Sequence, residues 1–162
     1  MKINNFKQDA PLKIAKSTKN DDSNSIKDVE IFNLNGNSDG RGCLIELLSN
    51  RDRQNEPIVH VYKVEAESKS YRGFVYHKWQ KDRLAFTEGE FLILLKDLRE
   101  SSPTFENEMI INAGENNKIL LTIPEFIAHS VENLGEKASF INMPTNIYDP
   151  ENPDKFRYTK ND

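Results

Sequence analysis

The stretch RLAFTEGEFLILL at residues 83–95 decides the fold class of this chain. Two short apolar runs, Arg83–Phe86 and Phe91–Leu95, flank the dipeptide Glu88-Gly89, and each run has the length of a β-strand. A short break containing glycine between two such runs is typical of a tight β-hairpin. We therefore expect two neighbouring strands joined by a hairpin at Glu88-Gly89.

The same alternation of short apolar runs and polar breaks continues along the chain. Turn signals recur about every 8–12 residues, which is the spacing of an all-β sandwich or barrel. A second break, Gly135-Glu136 after Leu134, predicts another hairpin. The apolar runs are Val29–Leu34, Cys43–Leu48, Ile58–Val64, Tyr71–His77, Arg83–Phe86, Phe91–Leu95, Met109–Ile111, Ile119–Ile123, Ile127–Val131 and Ala138–Met143.

We expect one folded domain between two less regular ends. Residues 1–26 are rich in lysine and aspartate and are interpreted as a flexible N-terminal arm, and residues 27–150 as the folded domain. Residues 151–162 form a proline-containing C-terminal tail that should wrap the surface. The charged stretch Lys96–Glu100 is interpreted as a solvated strand end.

The composition excludes several classes of protein. The net charge of -4 gives no electrostatic support for a nucleic-acid partner. No apolar run approaches the roughly 18 residues of a membrane helix, and the N-terminus lacks the apolar core of a signal peptide, so we expect a soluble, cytoplasmic protein. Cys43 is the only cysteine, which excludes an internal disulfide and a cysteine-rich zinc site; we expect a small buried thiol there.

Two of the three histidines lie in recognisable surroundings. The segments around them resemble the two motifs of the cupin superfamily, G-x5-H-x-H-x(3,4)-E-x6-G and G-x5-P-x-G-x2-H-x3-N. Val75 stands at the first His of the first motif. The matching positions are His77, Asp82 and Gly89 in the first motif and Pro124, His129 and Asn133 in the second.

A more specific resemblance covers most of residues 27–151. The strings DGRGCLIE, YRGFVYHKWQ, EGEFLILLKDLRESSPTF and LLTIPEFIAHSVENLGEKASFINMPTNIYDPENP follow one another here. In that order they resemble the motifs of the nucleoside-diphosphate-4-keto-6-deoxysugar 3,5-epimerases, the dTDP-4-dehydrorhamnose epimerase group. The resemblance implies a cupin jelly-roll barrel of two antiparallel sheets over residues 27–150. It also implies a nucleotide-sugar ligand, no cofactor, and a homodimer in which strands or the N-terminal arm cross between subunits.

The resemblance also implies a set of substrate-binding residues. Arg41 and Glu46 match the Arg and Glu that hold the nucleotide in the family. His60 and Tyr62 replace the Gln and Asn that the family places against the nucleotide. His129 matches the His of I-P-x-G-x-A-H that lines the sugar pocket. The full set is Arg41, Glu46, His60, Tyr62, Arg72, His129 and Tyr148.

The family's catalytic positions differ in this chain. Its general base His falls on Val75, its general acid Tyr falls on Asn142, and the Asp that orients the base would lie beyond Asp162. Epimerisation beside a ketone needs a base on one face of the sugar and an acid on the other, and neither Val nor Asn exchanges protons. We therefore expect chemistry other than the standard 3,5-epimerase acid–base pair.

His77 is the candidate catalytic residue. In an extended strand, Val75 and His77 project on the same face, which places His77 one step from the family's missing base. Related sugar 3,4-ketoisomerases carry R-G-F-H-A-H-K, and a single base can move a proton between adjacent carbons. We predict an isomerase or epimerase-like cupin that acts on a 4-keto-6-deoxysugar nucleotide in surface polysaccharide biosynthesis.

Two alternatives stay open. The first is a cupin that binds a nucleotide sugar without catalysis. The second is a metal-dependent cupin enzyme, because His77, Asp82 and His129 are the residue types of a two-His-one-carboxylate site. Lys78, Lys81 and Arg83 surround the carboxylate in sequence, and we expect no metal.

Overall fold

The fold is built from antiparallel β-strands. The computed structural model describes residues 7–8, 10–11, 14–19, 26–49 and 57–159. This part of the chain contains no helix, and hence none that could span a membrane. The all-β prediction is confirmed. The strands are β1 (Thr18–Lys19), β2 (Glu30–Asn33), β3 (Gly36–Asp39), β4 (Gly42–Ile45), β5 (Tyr62–Ala66), β6 (Tyr71–Tyr76), β7 (Asp82–Phe86), β8 (Glu90–Asp97), β9 (Glu108–Gly114), β10 (Ile119–Ile123), β11 (Ile127–Asn133), β12 (Ala138–Asn142) and β13 (Phe156–Arg157).

Two sheets enclose the core in a jelly-roll arrangement. One has six strands in the order β1-β2-β10-β7-β12-β5, and the other has five in the order β13-β6-β11-β8-β9. Phe86 of the first sheet lies with its ring centroid 5.1 Å from that of Phe91 of the second and 5.0 Å from that of Phe140. Burial of such large rings is a major source of stability, so this cluster ties the sheets together.

The burial pattern follows the position of each strand. In β8, Phe91, Ile93 and Leu95 are buried and alternate with partly exposed residues, because successive side chains of a strand point to opposite faces. Strands β7 and β10 are buried at every residue. A second apolar cluster explains this, since it joins Ala85 and Leu120 of these strands to side chains of β4 and the segment that follows it.

Both predicted hairpins are wrong. Strands β7 and β8 flank Glu88-Gly89 but lie in different sheets, and the same holds for β11 and β12 on either side of Gly135-Glu136. Gly89 has φ +73°, which lets the chain turn from one sheet to the other. A glycine turn is a local signal, whereas strand pairing depends on which sheet buries each apolar face.

The interpretation of Lys96–Glu100 as a solvated strand end is wrong for Asp97. This residue ends β8 and is fully buried. Its carboxylate accepts hydrogen bonds from the Arg99 guanidinium (2.9 Å), Ser102 Oγ (2.8 Å) and Thr104 Oγ1 (2.7 Å). Burial alone would raise the pKa of Asp97, but these hydrogen bonds outweigh it and hold the pKa below the ordinary value.

The strands nearest the two chain ends, β1 and β13, lie at sheet edges. Most of the predicted arm, residues 1–26, lies outside the described residues, but β1 pairs with β2 at the edge of the six-stranded sheet. In the tail, β13 pairs with β6 at the edge of the other sheet.

Cys43 is exposed, so the prediction of a buried thiol is wrong. The residue lies in the β3–β4 ribbon, which belongs to neither large sheet.

The Asp97 network gives a stability prediction. Asp97→Asn should lower the free energy of unfolding by roughly 3 kcal/mol at pH 7, because Arg99 loses its buried charged partner. The folded protein holds the pKa of Asp97 below its ordinary value of 3.8. The ionised carboxylate therefore stabilises the folded state at pH values above 3.8, and this stabilisation is lost as the pH falls below 3.8. Denaturant unfolding at pH 7 and pH 3 measures this. The variant and the wild type should differ less in their free energy of unfolding at pH 3 than at pH 7.

The exposed neighbour Glu100 supplies the matched control. Glu100→Gln should change stability by less than about 0.5 kcal/mol. Equal stability of Asp97→Asn and wild type at pH 7 would contradict the structural role given to this carboxylate.

Candidate active site

A cavity of about 380 Å³ opens between the two sheets. Residues of β6 and β11 line one wall, and residues of β5, β7 and β12 line the other. Tail residues around β13 border the same space. Concave sites of this size between elements are where proteins bind small ligands.

Asp82 lines the cavity and lies close to two histidines. Its Oδ2 atom is 3.3 Å from Nε2 of His77 and 3.5 Å from Nε2 of His129. Its Oδ1 atom accepts a hydrogen bond of 3.0 Å from Gln80 Nε2. Asp82 begins β7 of the six-stranded sheet, whereas the two histidines come from the other wall, so the carboxylate connects the two walls.

Asp82 and His77 shift each other's pKa. Burial alone would raise the pKa of Asp82, but hydrogen bonds from His129 and His77 outweigh it and hold the pKa far below its ordinary value. Burial alone would lower the pKa of His77, but the hydrogen bond and charge of Asp82 raise it above the ordinary value. The cavity therefore holds an ionised carboxylate beside a histidine that binds its second proton tightly.

The tail fixes the orientation of His77. Nδ1 of His77 is hydrogen-bonded to the main-chain oxygen of Asp154. A carbonyl oxygen only accepts, so Nδ1 carries a proton and Nε2 is the nitrogen that titrates. The Asp154 carboxylate is held in turn by the main-chain N–H groups of Lys78 and Trp79, both at 2.8 Å.

Sequence reasoning missed Asp154 as a site residue. A residue in a proline-containing tail has no strand periodicity that would mark it as a site residue. Its place beside His77 follows from the pairing of β13 with β6, a contact between segments about 80 residues apart. The nearest sequence signal was the Pro153-Asp154 dipeptide, which indicates only a turn.

Three cations border the cavity. They are Arg72, Lys155 and Arg157, and all three are exposed. Arg72 donates to the main-chain oxygen of Glu65 (2.8 Å) and Arg157 to that of Gly73 (2.7 Å), which fixes their positions without neutralising them. Within the described residues no carboxylate forms a salt bridge with any of the three. The mouth of the cavity is therefore suited to an anionic ligand.

The structure brings together five of the eight predicted site residues. Those that line the cavity are Tyr62, Arg72, His77, His129 and Tyr148. Arg41 has a side chain that is 91% exposed and pairs with Asp39 at the β3–β4 turn. Glu46 and His60 also lie outside the lining, although the His60 ring centroid is 5.1 Å from that of Tyr62. Nucleotide contacts by Arg41, Glu46 and His60 stay a prediction.

The two positions where the family's acid and base would fall also line the cavity. Val75 of β6 is paired in register with His129 of β11. Asn142 of β12 is paired in register with Tyr62 of β5 and donates to its hydroxyl oxygen at 2.8 Å. Val75 therefore has the imidazole of His129 as its neighbour, and Asn142 has the phenol of Tyr62. Both neighbours can carry a proton.

His77, Asp82 and His129 also have the spacing of a metal site. Their nearest ligand atoms lie within 4.8 Å of one another. A transition metal binds His nitrogen and carboxylate oxygen at about 2.0–2.2 Å, and ligand atoms 3.3 and 3.5 Å apart fit one face of such an ion. If an ion were bound, these three side chains would hold it, and it would act as a Lewis acid on a ligand oxygen.

Comparison with known proteins by sequence identifies relatives of this chain. The sequence model of the dTDP-4-dehydrorhamnose 3,5-epimerase family matches residues 23–162. The spore coat polysaccharide biosynthesis protein SpsL of Bacillus subtilis strain 168 is 36% identical over 137 residues, which cover 82% of this chain and 88% of SpsL. The probable low-salt glycan biosynthesis epimerase Agl13 of Haloferax volcanii is 33% identical over 141 residues, which cover 82% of this chain and 87% of Agl13.

A solved structure shows the same fold. It is dTDP-6-deoxy-D-glucose-3,5-epimerase RmlC from Legionella pneumophila in complex with dTDP-4-keto-L-rhamnose. The TM-score is 0.77 at 22% identity, and the match covers 88% of this chain and 77% of that chain. The fold is thus a cupin-like jelly roll, the fold of that sugar-nucleotide epimerase. This chain belongs to the dTDP-4-dehydrorhamnose 3,5-epimerase family, which confirms the resemblance found in the sequence.

The purified protein is expected to carry no stoichiometric transition metal. A metal would have to displace the proton that Asp82 holds on His77, and Val75 occupies the position of a further cupin ligand. Elemental analysis of protein purified without chelator measures this directly. About one metal per chain, lost in both His77→Ala and His129→Ala, would contradict the prediction and favour a metal-dependent enzyme.

Proposed function

We propose that this protein is a nucleotide-sugar isomerase of the epimerase or ketoisomerase type. Its substrate is a 4-keto-6-deoxysugar nucleotide, and its product serves the synthesis of a surface polysaccharide. The observation that carries the proposal is the titrating Nε2 of His77, held against Asp82 in a cavity with a cationic mouth. The substrate class is supported by the dTDP-4-keto-L-rhamnose bound to the Legionella relative, and the pathway by the names of SpsL and Agl13.

The three cations at the mouth of the cavity are placed to bind the diphosphate of the nucleotide sugar. Arg72 and Arg157 each use one guanidinium N–H group on a main-chain carbonyl, which leaves other N–H groups for phosphate oxygens. A planar guanidinium suits paired phosphate contacts, and its charge does not titrate away. Tyr148 borders the same cavity and offers an aromatic face. The sugar then extends inward, toward His77 and His129.

The proposed chemistry is a proton transfer at the carbon beside the ketone. Neutral Nε2 of His77 takes the proton, the C–H bond breaks, and its electron pair moves to the ketone oxygen as an enolate. Asp82 lies 3.3 Å from the same Nε2, and its negative charge stabilises the imidazolium that forms. Return of a proton to carbon re-forms a C–H bond and the ketone.

One observation favours a second candidate, a protein that binds the nucleotide sugar without catalysis. Val75 and Asn142 occupy the two positions that hold the base and the acid in the family. His77 and its neighbours would then only hydrogen-bond the ligand. Both candidates require ligand binding, so measurements of binding and of proton transfer must be made separately.

We also propose that the protein is a cytoplasmic homodimer. Large apolar side chains are exposed on β4 and on the segment before β5, at Leu44, Ile58, Val59 and Val61. Exposed apolar side chains favour association, and a second copy of the chain is the simplest partner. Sedimentation equilibrium measures this directly, and a mass of 18.7 kDa at working concentration would count against it.

The cationic mouth predicts ligand affinity. In calorimetry with dTDP, Arg72→Ala and Arg157→Ala should each weaken binding about tenfold or more, because each removes charge-assisted hydrogen bonds to phosphate. Lys96→Ala is the control, since this lysine lies on β8 and pairs with Glu108 outside the cavity. Unchanged affinity in the double Arg variant would show that the nucleotide binds elsewhere.

A base at His77 should catalyse exchange of the substrate hydrogen beside the ketone with solvent. In D2O, the wild type should wash deuterium into the carbon beside the ketone of a bound 4-keto-6-deoxysugar nucleotide, measured by mass spectrometry or NMR. His77→Gln should reduce the rate about 10²–10⁴-fold while dTDP affinity persists. The wild-type rate should rise with pH through a pKa above the ordinary histidine value of 6.5, because the neutral form is the base.

The control for this experiment is the same incubation without protein. No exchange above that level, across several nucleotide sugars that bind by calorimetry, would leave the binding protein as the better conclusion. Exchange that survives in His77→Gln would place the base on another residue.

A further inference from the structure

The wall opposite the histidines carries a second pair of polar groups. Tyr62 lies on β5 and Asn142 on β12, directly opposite each other in the register of the six-stranded sheet. Asn142 Nδ2 donates a hydrogen bond of 2.8 Å to the Tyr62 hydroxyl oxygen. Both side chains line the cavity.

This hydrogen bond leaves two groups free for a ligand. Because the amide occupies a lone pair of the phenol oxygen, the Tyr62 O–H proton can be donated elsewhere, and among the described residues nothing accepts it. Asn142 is 95% buried, since only 5% of its surface is exposed, and its Oδ1 atom has no hydrogen-bond partner. Buried polar atoms in folded proteins are normally paired, so this orphaned acceptor points to a ligand group.

The two walls present these groups to opposite sides of the cavity. His77 follows β6 and His129 lies on β11, both in the five-stranded sheet, whereas Tyr62 belongs to the six-stranded sheet. A sugar ring that binds between the sheets would have His77 on one face and the Tyr62 hydroxyl on the other. Inversion at a carbon requires that the proton leave from one face and return to the other.

The ionisation of Tyr62 suits proton donation. Burial and the negative charge of Asp82 raise the pKa of Tyr62 above its ordinary value, although the hydrogen bond from Asn142 acts in the opposite direction. The phenol therefore keeps its proton throughout the neutral range. Its side chain is also 40% exposed, so solvent can restore the proton after each turnover.

We propose that Tyr62 is a catalytic acid of this enzyme and that Asn142 is its positioning residue. The proposal rests on the proposed function, because it requires the enolate formed by His77. The Tyr62 O–H bond breaks, the enolate carbon gains the proton with its own electron pair, and the ketone re-forms. The phenolate that remains accepts a hydrogen bond from the Asn142 N–H group until water returns a proton to it, and the His77 imidazolium releases its proton to water. In the family's motif the acid Tyr falls at Asn142, so the phenol has moved to the neighbouring strand.

The test separates inversion from exchange. Tyr62→Phe removes one oxygen atom, and in D2O with a 4-keto-6-deoxysugar nucleotide it should retain His77-dependent exchange and dTDP affinity. The yield of the inverted product, measured by NMR against time, should fall about 100-fold or more. Asn142→Ala should lower the ratio of inversion to exchange in the same direction, by a smaller factor. Tyr158→Phe, an exposed tyrosine outside the cavity, should match wild type.

Each outcome decides the proposal. Inversion at the wild-type rate in Tyr62→Phe, or exchange and inversion lost together in a variant that melts like wild type, would overturn it. Loss of dTDP affinity in Tyr62→Phe would also overturn it, because Tyr62 would then be a binding residue. If the wild type exchanges the hydrogen beside the ketone but forms no inverted product, no acid on the opposite wall is needed. The proposal for Tyr62 then fails, and the proposed function stands. If wild type neither exchanges nor inverts, the proposed function itself fails.

Discussion

The pairing of Asp82 with two histidines is the interaction on which the site depends. A buried ionised carboxylate is costly unless charged or hydrogen-bonding groups surround it. Asp82 finds these groups only because β7 of one sheet faces β6 and β11 of the other. The carboxylate thus connects the two walls of the cavity and raises the pKa of His77. One buried carboxylate therefore both joins the two walls and makes the proposed catalytic histidine more basic.

The tail holds the same histidine from the other side. Asp154 is fixed by two main-chain N–H groups after β6, and its own carbonyl oxygen receives Nδ1–H of His77. Strand β13 meanwhile covers the edge of β6, where unpaired main-chain groups would otherwise be exposed. One short segment thereby protects a sheet edge, orients an imidazole and brings Lys155 and Arg157 to the mouth of the cavity.

The proton-carrying side chains occupy positions next to those used in the family. His77 follows Val75 by two residues and lines the same cavity, and Tyr62 lies directly across the strand ladder from Asn142. Residues two apart on a strand, and residues paired across two strands, share one face of a sheet. A β-scaffold can therefore keep its cavity while a functional group moves to an adjacent position, as we propose for the base and the acid here.

The sequence by itself determined the strand content, the family and five of the residues that line the cavity. Strand runs carry a local period, and His77, His129 and Arg72 lie within motifs of fixed spacing. It did not determine which strands pair, because the breaks at Glu88-Gly89 and Gly135-Glu136 connect different sheets. Nor did it determine that Asp97 is buried with Arg99, Ser102 and Thr104 as its hydrogen-bond donors. Only the tertiary structure brought Asp154 to His77 and Asn142 to Tyr62. These contacts join segments about 80 residues apart, and no local pattern in a chain specifies which distant residue will complete a hydrogen bond.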